Sequence, residues 1–226
     1  MGNSSNKILK TGSLPESCNA YSKIINYIVE TPPDKELLLQ NIIAYISKIK
    51  EDSPCYEFVA TVHKLHPHIY REKPIELLDP VWLYQACVRQ MVYCKKIQPF
   101  LKNYNYKRWR SEYKRFLRDC KLFKHVIIVP NLIEDFMWHS HMQSPTYKRD
   151  ITLLTGRFMD HDDDIPEEKL QKFKNIRVFL RRQVEYDEKD DGTCATERPR
   201  PVYTRNSSGG SSCGSSCGGG GCGGCG

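Results

Sequence analysis

Residues 137–164 read MWHSHMQSPTYKRDITLLTGRFMDHDDD. This stretch holds three histidines, a tryptophan, a single glycine and a run of aspartates. Just upstream, Asn131 and Glu134 have the spacing of a capping box, in which the Asn side chain and the Glu side chain satisfy each other's backbone N–H groups. The spacing predicts a helix from Leu132 to about Met142. Ser144-Pro145 has the form of a second start, with Ser144 as cap and Pro145 at the first helical position. That second helix is expected to end at Gly156, the one glycine between Gly12 and Gly192. A left-handed C-cap favours glycine because a Cβ is strained there. The segment therefore reads as a tight pair of helices.

Helical geometry separates the first two histidines. Residues two apart on a helix point about 200° from one another. His139 and His141 therefore face opposite ways and do not chelate one ion. Asp135 and His139 are four apart and share a face, so the carboxylate is placed to hold the His139 ring N–H and orient it. His161 follows the Gly156 turn, with Asp160, Asp162, Asp163 and Asp164 around it. If the chain folds back, His139, His161 and one of these aspartates, with Asp162 the leading candidate, form a divalent-metal site with an open position. The competing reading packs Trp138 and His139 in the core and leaves the aspartates solvated. A polar ligand pocket without metal is the third.

Outward from this stretch the chain is helical. Tyr21, Ile24, Ile25 and Ile28 recur at helical spacing, as do Leu38, Ile42, Tyr45, Ile46 and Ile49. A shorter helix is expected over PCYEFVATVHKLH. In DPVWLYQACVRQMVYCKKI, Asp79 is the cap and Pro80 opens the helix; its apolar residues surround most of its circumference, so it is expected to be the most buried. A last helix opens at Pro166 with Glu167 and Glu168 in its first turn. The fold class is mainly α: one domain of about seven helices over residues 17–186. Residues 1–16 are expected to be disordered, and 187–226 form a linker and a Gly/Ser/Cys-rich tail that holds ten of the 14 glycines.

Between Lys95 and Lys124 stand eleven Lys or Arg against two acids, and the whole chain carries a net charge of +7. Trp109, Tyr113, Phe116, Leu117 and Cys120 form the apolar side of one helix. Arg108, Arg110, Lys114, Arg115 and Arg118 lie on the other, a candidate surface for RNA or anionic membrane with Tyr104, Tyr106 and Trp109 as stacking residues. An ordinary solvated face has the same pattern.

Cys18, Cys55, Cys87, Cys94 and Cys120 sit in apolar helical patterns and read as buried thiols in a reducing compartment. Cys213, Cys217, Cys222 and Cys225 belong to the tail, where adventitious metal or acylation is the alternative to plain low complexity. His63, His66 and His68 cluster about Pro67 in what reads as a loop. Mean hydropathy is −0.57, and the sequence has no run near the ~20 apolar residues of a membrane span. Phosphate loops, serine nucleophile elbows and His-Glu-x-x-His motifs are absent. The cytoplasm is the expected compartment. Gly2 behind Met1 offers a partial N-myristoylation signal, with Asn6 where Ser or Thr is usual.

YKRFLRDC and VPNLIEDFMWHSHMQSPTYKRDITLLTGRFMDHDD resemble the glycine-rich domain-containing protein family, over residues 113–164. The residues that carry the likeness are Val129, Pro130, Asp135, Trp138, His139, His141, Tyr147, Asp150, Gly156 and His161. The resemblance implies a helical core and no settled reaction. Some members resemble regulators of stress and development, and some have been proposed to contact RNA. The histidines matching His141 and His161 are replaced in some members. The leading expectation is a non-catalytic binding or scaffold protein with a protein partner and no cofactor. A small metal-dependent enzyme using His139 and His161 is the alternative, and an RNA- or membrane-associated module is the third reading.

Overall fold

The computed structural model describes residues 8–9, 13–66, 73–161, 165 and 167–189. Eight α-helices occur among them, and no strand. They are α1 (Leu14–Glu30), α2 (Lys35–Ile46), α3 (Pro54–Leu65), α4 (Pro80–Leu101), α5 (Tyr106–Leu122), α6 (Leu132–Met142), α7 (Tyr147–Thr155) and α8 (Glu167–Lys189), with a 3₁₀ turn at Ile75–Leu77 before α4. The mainly-α expectation holds, with one helix more than expected. Ordered chain begins before the expected boundary at 17: Leu14 opens α1 and is buried, as is Leu9. Gly2, His68, Asp162 and the tail cysteines lie outside the described residues.

The starts are set by side-chain caps. Asp34 accepts from the Leu37 N–H, Ser53 from Tyr56, Asp79 from Val81 and Asn105 from Arg108. Asn131 and Glu134 close the expected capping box on α6. Each such cap stabilises its helix by about 1 kcal/mol. Two expected boundaries move. Lys48 turns the chain at φ 58°, so α2 stops at Ile46 and Ile49 is exposed rather than on the buried face. Ser144 and Pro145 lie in the turn before α7: Thr146 is the cap residue, and the Ser144 hydroxyl instead accepts the Thr146 N–H.

One apolar core runs through the helices, from Leu9 and Leu14 to Leu154 and Met159. α1 packs on α4 and α6, α2 and α3 on each other and on α4, and α5 on α6. The most buried helix is α6 rather than α4: Phe136 through Met142 are all buried, whereas α4 exposes Val81, Val92 and Phe100. The expected tight pairing of α6 with α7 also changes, because α7 lies chiefly against α5. Trp109, Tyr113, Phe116, Leu117 and Cys120 are buried on α5, as its periodicity requires.

A buried ion cluster fixes α8. The Arg177 guanidinium donates to Asp119 of α5 at 3.0 and 3.1 Å and to Glu134 of α6 at 2.5 and 2.8 Å. It also donates to the Val129 carbonyl and lies over the Phe116 ring. Arg181 adds a bond to Asp119. One guanidinium fork thus joins three helices and holds the start of α6, the turn that carries Asp135.

Candidate metal centre

α6 presents its two histidines to opposite sides, as the helical spacing requires. His141 points toward α5 and α7. Its Nδ1 is hydrogen-bonded to the Tyr113 hydroxyl at 3.0 Å, and its Nε2 stands 3.9 Å from Asp150. Burial pushes its pKa down to about 4, against the opposing pull of Asp150. It is a neutral core histidine. Asp150 is itself held by the Thr146 hydroxyl and by Arg149.

His139 points the other way, toward the segment that follows α7. Gly156 ends α7 at φ +80°. The Thr155 hydroxyl then bonds the Arg157 carbonyl, and the Tyr147 hydroxyl donates to the Met159 carbonyl while accepting from Trp138 Nε1. These contacts bring the chain back across α6. His161 arrives with its ring 4.8 Å from Trp138 and 4.5 Å from His139, centroid to centroid. Trp138, Tyr147 and Gly156 therefore act as architecture: they shape the return that delivers His161.

Three donor atoms meet there. His139 Nε2 and His161 Nε2 are 2.9 Å apart, His161 Nε2 is 3.3 Å from Asp135 Oδ1, and that oxygen is 3.6 Å from His139 Nε2. Donors bonded at about 2.0–2.1 Å to one tetrahedral zinc lie about 3.3 Å from each other, and the three separations bracket that value. Both histidines are buried, and Asp135 is half-buried.

The far side of His139 is equally specific. Its Nδ1 is 3.1 Å from the Tyr21 hydroxyl of α1, and that hydroxyl donates to Gln90 Oε1 of α4 at 3.3 Å. With its proton directed to Gln90, the Tyr21 oxygen accepts from His139 Nδ1–H. Nε2 then presents its lone pair toward His161 and Asp135, the tautomer that a metal ligand needs. The expectation that Asp135 orients His139 is corrected: the carboxylate lies on the Nε2 side, among the donors, and Tyr21 is the orienting group. Asp160 is not among the donors either; its carboxylate accepts the His161 backbone N–H.

Asp135 and His161 line a cavity of about 1000 Å³ between α4, α6, α8, the α5–α6 link and the return segment. The other residues singled out in the sequence lie elsewhere. His63 bonds the Tyr45 hydroxyl at 2.7 Å, and His66 packs edge-on against Trp82. Arg108, Lys114, Arg115 and Arg118 are exposed on α5, with Arg110 half-buried. Of the expected stacking residues Trp109 is buried, whereas Tyr104 and Tyr106 are half-buried: Tyr104 packs against Trp109 and Phe136, and the Tyr106 hydroxyl bonds the Leu9 carbonyl. No family model, curated protein or solved structure matches the chain.

Proposed function

We propose that the chain is a metal-dependent enzyme with one divalent transition-metal ion held by Asp135, His139 and His161. The observation that carries this reading is the convergence of three donor atoms 2.9, 3.3 and 3.6 Å apart, drawn from one helix and a segment that returns to it. Two imidazoles and one carboxylate suit zinc or ferrous iron better than magnesium or calcium, which prefer oxygen donors. Three protein ligands leave positions for water and substrate, and a bound ion supplies a Lewis acid or an activated water there. Tyr21 holds His139 in its ligating tautomer, and the cavity beside Asp135 and His161 receives the substrate.

The geometry shifts the balance away from the non-catalytic scaffold role that led on sequence alone. Membership of the glycine-rich domain-containing family is proposed with it, as is a cytoplasmic location. No helix among the described residues is long and apolar enough to cross a membrane. The RNA- or membrane-associated reading keeps its cationic face, with Trp109 buried and Tyr104 and Tyr106 half-buried beside it.

The test is metal titration of the full chain with Cys213, Cys217, Cys222 and Cys225 changed to serine. One equivalent of zinc or cobalt is expected to bind. His139→Gln, His161→Gln and Asp135→Asn each should lower the affinity by at least tenfold while the helical circular dichroism persists. Unaltered affinity in all three variants would refute the site.

A further inference from the structure

The walls around the candidate metal centre carry information about its substrate, and a substrate class read from them rests on that centre. Val92, Ile127, Ile128, Phe158, Ile165 and Leu170 give the cavity an apolar surface. Lys96 of α4, Lys124 of the α5–α6 link and Arg157 of the return segment also line it, and all three are exposed. The Arg157 guanidinium does not swing free: its Nη1 donates to the Lys124 carbonyl at 2.7 Å. That bond tethers two cationic residues from different parts of the chain at one edge. Arg89 and Lys174 contribute two further cations to the wall.

The acids among the described lining residues are Asp135 and Asp160. Asp135 is a proposed ligand, and a divalent ion on it would reverse its local sign. Asp160 then stands against five cations, and a concavity with apolar walls in which one sign of charge predominates concentrates ligands of the opposite sign. An apolar wall with a few placed polar groups is also the usual make-up of a small-molecule site.

We infer that the substrate is an amphipathic organic anion. Lys96, Lys124 and Arg157 hold its charged head at the mouth, and its apolar body runs along Ile128 and Phe158 toward Asp135 and His161. A carboxylate and a phosphate monoester both have this chemistry. An inorganic anion lacks the body, and an organic cation has the wrong head.

Cobalt(II) in the full chain reports on the site through its visible absorption, which changes when a bound molecule displaces metal-bound water or otherwise rearranges the coordination sphere. The cobalt protein is titrated with octanoate, octyl phosphate and octyltrimethylammonium. At least one of the two anions is expected to shift the bands saturably, and which one does so separates the carboxylate from the phosphate source. The cation is expected to leave the bands unchanged. K124Q/R157Q, which alters two exposed side chains, should weaken the anion at least tenfold and leave one cobalt bound; K96Q serves as an independent second variant. Cobalt bound with no response to either anion, or with an equal response to the cation, overturns the inference while the metal centre stands. An unweakened anion in both variants overturns it too. Failure of cobalt to bind, or a cobalt affinity that H161Q leaves unaltered, removes the metal centre and this inference together.

Discussion

The Tyr21 hydroxyl stands 3.1 Å from His139 Nδ1, although 118 positions of chain separate the two residues. That contact sets which imidazole nitrogen carries the lone pair. It turns a histidine of the most buried helix toward His161 and Asp135 as an acceptor rather than a donor. The candidate metal centre depends on it as much as on the three donors.

Tyr21→Phe tests this dependence. The ring remains in place and the hydroxyl is lost, so the core should stay packed while His139 Nδ1–H loses its acceptor. Removing a partner that orients a metal-ligating histidine typically costs 10–100-fold in metal affinity. A fall of about that size is expected by competition titration against a chromogenic chelator. Unchanged affinity would mean that His139 is oriented by something else.

Gly156→Ala should destabilise the fold by about 1 kcal/mol or somewhat more. A Cβ built at Gly156 meets nothing within 4 Å, so crowding adds nothing and the cost comes from φ +80° alone. Gly156→Asn should cost less, because Asn tolerates the left-handed region. Urea midpoints check the order, and an alanine variant as stable as the parent would contradict the capping role.

Arg177→Ala leaves Glu134 buried without its guanidinium partner and Asp119 with Arg181 alone. Breaking a buried ion pair from one side costs about 3–5 kcal/mol. Arg177→Lys keeps the charge but loses the fork geometry, so it should fall between alanine and the parent. Thermal melts give the ranking. An alanine loss below about 1 kcal/mol would show that the cluster contributes little to holding α8.

Alkaline pH should unfold the protein through its thiols. Burial pushes Cys18 and Cys55 up to about 11, and Cys94 and Cys120 up to about 12. These folded values lie above the ordinary thiol value, so the folded state holds its protons longer than the unfolded chain. Stability from this source is complete below the unfolded value of about 8.5 and declines as pH rises from there toward 11–12. Each such thiol adds about 1.4 kcal/mol of loss per pH unit inside that window. Urea midpoints at pH 8 and pH 10 should differ clearly. Equal midpoints would contradict the burial of these thiols.

Much of this architecture was readable because its signals are local. Asp34, Asp79, Asn105 and Asn131 cap the helices that begin just after them. The solitary Gly156 carries the positive φ it suggested. The opposite directions of His139 and His141 follow from α-helical spacing, and the nearness of Asp135 to His139 from their four-residue separation. What escaped was set by tertiary packing. Tyr21 and Gln90 read only as core and polar positions on distant helices. Asp119 and Arg177 looked like members of solvated charge patterns, though they meet in the interior. Asp135 was expected to orient His139 because spacing gives a shared face, but not which ring nitrogen turns toward the carboxylate. α4 looked more buried than α6 because the polar residues of α6, Glu134, His139, Ser140 and His141, are buried with partners rather than exposed.

X-ray absorption at the metal edge of the zinc- or iron-loaded full chain tests the metal centre most directly, because it reports ligand type as well as occupancy. The expected result is a first shell of nitrogen and oxygen at about 2.0–2.2 Å, with the outer-shell scattering of two imidazoles, which falls to that of one imidazole in His161→Gln. A shell of sulfur at about 2.3 Å, which would place the ion on cysteines such as those of the tail, or a signal that His161→Gln leaves unchanged, would contradict the assignment to Asp135, His139 and His161.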